Sequence, residues 1–260
     1  MPKVDPITLS VVRGTLETTQ REMTLALEKT SRSSVLNLAR DYSTTIFNST
    51  PEMILQGQDI PIHLGSFMPA MKAVADFFGE DIHEGDLILH NDPAYQGSHI
   101  VDMCMYRPVF YKEKHVFWTA CKGHLTDAGG PVPASYNPEA TEIFAEGLRI
   151  PPIKLWDKGK PQDDILNMVL TNMRARRDQE GDFRALIGSC QVGERNLINM
   201  LDKYGLDEVN LCIDELLSMA DRHMRSLIKE IPDGNYSGTA ILEDAGHGLG
   251  DMEITANLTI

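Results

Sequence analysis

The chain has 260 residues, with 38 Asp and Glu against 24 Lys and Arg for a net charge of −14, and with no basic run it would repel a polyanion, which excludes nucleic acid as a partner. Hydrophobic residues at 42% and charged ones at 24% are ordinary for a folded protein with a real core. No apolar run reaches the roughly 18 residues of a membrane span and no basic, then apolar, leader opens the chain, so a cytoplasmic protein without a membrane partner is expected.

The first predicted element is a long helix. Asp5 is a candidate N-cap, Pro6 suits the first helical position, and Ile7, Val11, Leu16, Met23 and Ala26 lie near helical spacing to about Arg32. Residues 40–48 read as a strand, turned by Ser49, Thr50 and Pro51 into a second strand at 53–55. After a loop over 56–61, a helix is predicted from about Ser66 to Phe78 and closed by Gly79. Leu87, Ile88 and Leu89 form a short strand that runs into His90-Asn91-Asp92-Pro93. Strands at 100–110 and 115–121 follow, joined by a hairpin turn over 111–114.

Residues 126–152 are rich in proline and glycine, and an irregular stretch of that length is usually functional or mobile. Helices are predicted at 163–177, 182–204 and 207–231, punctuated by Gly181, Gly205 and the Pro232-Asp233-Gly234 turn. Strands at 236–242 and 252–260 come last. The alternation of Ile254, Ala256, Leu258 and Ile260 runs to the final residue, so further chain is expected to pair with it. The expected fold is α+β: a long N-terminal helix, a mixed β-sheet core with a hairpin carrying the site, a helical middle section and further strands. Three regions are expected, an α/β metal-site region over 1–160, a helical region over 161–231 and the start of a further β region over 232–260.

His and Asp gather between positions 41 and 127, as Asp41, His63, His90, Asp92, His99, Asp102, His124 and Asp127. Imidazole favours borderline metals and carboxylates compensate charge, so the set suits a divalent cation of the zinc, manganese or iron type. His99 and Asp102 stand at the start of one hairpin strand and His124 follows the other, so pairing brings all three to one end of the sheet. Residues three apart on a straight strand face opposite ways, which places His99 in the turn formed with Gly97 and Ser98. His83, His115, His223 and His247 lack such company. Gly129-Gly130-Pro131 and Gly246-His247-Gly248 have neither the strand, loop and helix context nor the Lys of a phosphate cradle, so no ATP site is expected on this chain. Met103 and Met105 read as core, and Arg174, Arg176 and Arg177 as a small basic cluster. Cys104, Cys121, Cys190 and Cys212 form no CxxC pair and read as free thiols.

Several long motifs resemble the hydantoinase B family. They are Arg40-Asp41-Tyr42-Ser43, the run from Gln56 to Ser66, the run from Asn91 to Asp102, Gly123-His124 with Asp127, the run from Glu146 to Pro152, and Asn172 with the run from Arg174 to Asp182. That family comprises one subunit of ATP-dependent N-methylhydantoinases, oxoprolinases and caprolactamase, with related subunits of acetone and acetophenone carboxylases. The resemblance implies a hetero-oligomer in which a hydantoinase A-like ATPase subunit consumes ATP to phosphorylate the oxygen of an amide or ketone enol. This chain would then hold a divalent metal, zinc first with manganese or iron as alternatives, and complete the reaction on a small cyclic amide. Position by position it implies Asp41, His99, Asp102 and His124 as metal ligands and His63 and Asp92 as further, catalytic candidates. Ala94 and Ser98 depart from the family pattern, a difference expected to bear on loop shape rather than ligation. The alternatives are a ketone carboxylase subunit and a non-catalytic assembly subunit.

Overall fold

The structure is a computed structural model and describes residues 4–260. Helix α1 (Pro6–Thr30) starts as the sequence predicts: the Asp5 carboxylate accepts from the Thr8 N–H at 2.8 Å, and Pro6 opens the first turn. Its buried stripe is Val12, Leu16, Thr19, Met23 and Leu27. A single turn, α2 (Ser34–Asn37), capped by Ser33, leads into the sheet.

The sheet contains β1 (Tyr42–Asn48), β2 (Met53–Gln56), β3 (Leu87–His90), β4 (Asp102–Tyr111), β5 (Lys114–His124), β6 (Ile153–Asp157) and β7 (Lys160–Pro161), in the order β2-β1-β5-β4-β3-β6-β7. The sheet expected as mixed pairs antiparallel at every neighbouring strand. Helix α3 (Pro61–Phe78) covers one face: Leu64, Phe67, Met71 and Val74 pack on Phe47, Ile88, Tyr106 and Trp118. Helices α1 and α5 (Arg176–Tyr204) cover the other. There the Thr119 hydroxyl donates to the Cys190 carbonyl, and Gly193 of α5 leaves room for Met23 and Thr119, which a Cβ would strike. Central strands buried on both faces need no solvent-facing polar side, so β4 and β5 read as largely apolar runs, interrupted by the buried Arg107 and Lys122.

Helix α4 (Asp163–Thr171) precedes α5, and the first half of α6 (Leu206–Ile228) buries Val209, Cys212 and Ile213. Strands β8 (Asn235–Leu242) and β9 (Met252–Thr259) pair with each other as a separate hairpin whose residues are exposed. The α+β architecture therefore stands as expected.

Several elements differ from the sequence reading. Helix α3 starts at Pro61, not Ser66. Its buried positions His63, Leu64, Phe67, Ala70, Met71 and Val74 already follow the helical period, but Gly65 and Pro69 weaken the local helical pattern. Gly181 lies inside α5 rather than ending a helix, and the Arg32 side chain packs where a Cβ would stand. The break falls earlier, just before α5, where the Arg174 N–H and guanidinium bind the Asp127 carboxylate. Strands β6 and β7 were not foreseen, and β6 owes its conformation to pairing with β3.

Candidate metal centre

The β4–β5 register sets Asp102 directly opposite His124, and β1 runs on the other side of β5 so that the Asp41 carbonyl accepts from the His124 N–H at 3.0 Å. His99 sits in the turn before β4, with its carbonyl accepting from the Asp102 N–H, as the spacing argument requires. The turn is tight: Gly97 lies so close to the Asn91 carbonyl that a Cβ would collide with it. His63 enters from the first turn of α3.

These five side chains converge on one another. His99 Nδ1 lies 2.9 Å from Asp102 Oδ2, and His124 Nδ1 lies 3.1 Å from Asp102 Oδ1. His63 Nε2 faces both carboxylates, 3.4 Å from Asp102 Oδ2 and 3.6 Å from Asp41 Oδ1. His124 Nδ1 is 3.9 Å from Asp41 Oδ2. Asp102 and His63 form a buried floor, while Asp41, His99 and His124 keep 35%, 49% and 30% of their side-chain surface open.

Burial alone would raise the Asp102 carboxyl, but hydrogen bonds from His124, His99 and Ser98 overcome it and hold the group well below the usual carboxylate range. The Asp102 hydrogen bond raises His124 against the opposing effect of burial. Burial lowers His63 against the opposing pull of Asp102 and Asp41. His63 Nδ1 lies 3.3 Å from the Ser43 hydroxyl, which also reaches the Ile60 carbonyl at 3.4 Å, and His63 Nε2 faces the carboxylates.

The donor set fits a divalent cation. Ligand atoms about 2.0–2.2 Å from a shared zinc lie about 3–4 Å from one another, the spacing seen here, and one donor atom from each of His99, Asp102 and His124 falls within 4.8 Å of the others. Asp41 borders that trio and supplies the second negative charge. An open rim over a charged, buried floor is the arrangement of a site with a free coordination position rather than a closed structural one.

The remaining candidates lie elsewhere. Asp92 caps the short turn Pro93–Tyr95 and takes a two-oxygen ion pair from Arg149 at 2.9 Å, so it braces the loop leading to His99 and makes no hydrogen bond to the cluster. Asp127 is held by Arg174 and accepts from Gly129 N–H. His90 is fully buried, both ring nitrogens lack partners, and burial pushes it down to about 4. Ser98, expected to affect loop shape alone, donates to Asp102 Oδ2 at 2.5 Å. Lys122 was overlooked: it is fully buried beside the site, and its one sequence signal is a lone charge inside an apolar strand.

Comparison with known proteins bears on this centre. The hydantoinase B/oxoprolinase family model matches residues 5–260. Caprolactamase subunit beta of Pseudomonas jessenii is 70% identical over 260 residues, all of this chain and 45% of that protein. The crystal structure of ATP-dependent caprolactamase from Pseudomonas jessenii superposes with a TM-score of 0.95 at 70% identity, over 99% of this chain and 45% of that one. An acetone carboxylase, solved without nucleotide, matches with a TM-score of 0.86 at 18% identity over 97% of this chain and 35% of that one, which shows a shared fold. This chain spans less than half the length of the curated relatives it matches. No helix of the described residues is long and apolar enough to cross a membrane. A family match across nearly the whole chain, together with that identity to one of its relatives, establishes that the chain belongs to the hydantoinase B/oxoprolinase family.

Proposed function

We propose that this chain is the metal-bearing part of an ATP-dependent cyclic-amide hydrolase, opening a lactam, hydantoin or 5-oxoproline ring after an ATPase partner of the hydantoinase A type has phosphorylated the amide oxygen. The observation that carries the reading is the pair of carboxylates ringed by His63, His99 and His124 at a solvent-open end of the sheet. The 70% identity to caprolactamase subunit beta favours a lactam among the substrates. Four free cysteines support the cytoplasm as its compartment.

Asp41, His99, Asp102 and His124 would hold the ion, zinc first, because two carboxylates and two neutral imidazoles balance a divalent charge. When bound, such an ion acts as a Lewis acid and makes hydroxide available near neutral pH. The chain's own residues supply the rest. Asp102 keeps a fixed negative charge on the floor, and His63 Nε2 faces both carboxylates from behind. Asp92 and Arg149 hold the loop that presents His99. Residues 1–160 would form the site region, with 161–231 as its helical support and 232–260 as a separate β unit.

The test is reconstitution with the ATPase partner, following ATP-dependent ring opening of caprolactam, hydantoin and 5-oxoproline beside bicarbonate incorporation into a ketone. Ring opening that disappears on chelation and returns with metal supports the proposal. Bicarbonate incorporation without ring opening would replace it with the carboxylase reading, and neither activity would leave an assembly role.

A further inference from the structure

The structure assigns Lys122 as a positioning residue of the metal centre, acting through Ser98 on the Asp102 carboxylate and through Ser66 on the helical turn that carries His63. The inference rests on the reading of the cluster as a metal site. Lys122 lies on β5 two residues before His124 and is fully buried. Its ammonium hydrogen-bonds Ser66 Oγ at 2.5 Å and Ser98 Oγ at 3.0 Å, and stands 5.2 Å from the centre of the Phe67 ring. Burying an ammonium is costly, and the neighbouring positions on this face of β5, Ala120 and Trp118, show that an apolar residue would fill the space without that cost.

The chemistry of the donor explains the charge. An ammonium has three N–H donors and no acceptor, so each serine must accept from Lys122, and its single hydroxyl proton is then directed away from it. Both protons point at the site. Ser98 donates to Asp102 Oδ2 at 2.5 Å, and Ser66 donates to the His63 carbonyl at 2.9 Å. Lys122 thus ties three separate pieces of chain, β5, the turn holding His99 and the start of α3, into one fixed geometry. A residue able both to donate and to accept would leave the direction of each hydroxyl undecided.

Position and charge act in opposite directions here, which makes the inference testable by sign. A buried positive charge repels a divalent ion, so if Lys122 were no more than a nearby charge, replacing it would tighten metal binding. If it orders the ligands, replacing it weakens binding.

The experiment uses Co2+ as probe in the full chain, with chelator competition for affinity and the visible spectrum for coordination geometry. Lys122→Met is nearly isosteric, and folding is checked by circular dichroism. The expected result is one Co2+ per wild-type chain, an affinity about ten-fold or more lower in Lys122→Met with altered absorption bands, and a similar loss in Ser98→Ala. The Lys122→Met/Ser98→Ala double variant should lose little beyond either single one, because both act along one path. Ser66→Ala, whose arm ends on a backbone carbonyl, should weaken binding less. Should Lys122→Met fail to fold, the two serine variants decide the matter. Equal or tighter Co2+ binding with an unchanged spectrum in Lys122→Met and Ser98→Ala overturns the inference and leaves the metal site intact, whereas a wild-type chain that binds no Co2+ overturns the metal reading along with it.

Discussion

Asp102 and His124 are direct partners across the β4–β5 hairpin, with His124 Nδ1 3.1 Å from Asp102 Oδ1. A strand pair is a rigid mount, so the carboxylate and the imidazole keep their separation without help from the substrate or the partner. Changing either should therefore affect metal binding before it affects folding. Asp102→Asn keeps the shape and removes the charge; the expected loss of metal affinity is about 100-fold or more, about 2.7 kcal/mol. Metal content after dialysis checks it, with circular dichroism confirming the fold. His99→Ala and His124→Ala should likewise lose both metal and turnover, and turnover without metal in either would contradict the proposed chemistry.

Proton and metal compete for His124. Its pKa in the folded chain is raised above the ordinary 6.5 by Asp102, so the protonated pair stabilises the metal-free protein fully below 6.5, and that contribution fades as pH rises through the raised value. Metal requires the neutral ring, so its affinity should climb over the same interval. Thermal unfolding measured from pH 5.5 to about 8.5 with and without Zn2+ should show the stabilisation by metal growing with pH. A metal increment that is flat or falls would mean that His124 is not a ligand.

Arg149 holds Asp92, which is nearly buried, by three hydrogen bonds from its guanidinium. Arg149→Leu leaves that carboxylate unpaired, at a cost of about 1–3 kcal/mol. Because Asp92 braces the loop that ends in His99, the same variant should also weaken metal binding. Denaturant unfolding and Co2+ titration of one preparation measure both. Full metal affinity in a destabilised variant would confine the pair to folding.

The hairpin turn at the opposite end of β4 and β5 provides a control. Lys112 and Glu113 both lie in the left-handed region, with φ of 49° and 64°, where glycine is favoured. Glu113→Gly should stabilise the protein by about 1 kcal/mol and leave metal affinity unchanged. A loss of stability would show that the Glu113 side chain contributes more than its backbone strain costs.

Local information determined a good deal. Asp5 and Pro6 began α1, the alternation around Tyr42 marked β1, and the two apolar runs around residues 111–114 marked the β4–β5 hairpin. The hairpin in turn brought His99, Asp102 and His124 together, because register follows from the turn that joins two strands. The start of α3 was hidden, since Gly65 and Pro69 weaken a helical pattern that burial against the sheet later enforces.

What the sequence by itself determined is the set of strands and helices whose signals are local, and the presence of a His and Asp cluster at one end of a hairpin. Only the tertiary structure decided the roles within that cluster. It drew His63 in through α3, sent Asp92 to Arg149 and Asp127 to Arg174, and set Ser98 and a buried Lys122 behind Asp102. The physical reason is that an ionisable side chain has several partners open to it, and which one it takes depends on the distances and burial that packing of distant segments creates. Sequence spacing along the chain does not contain those distances.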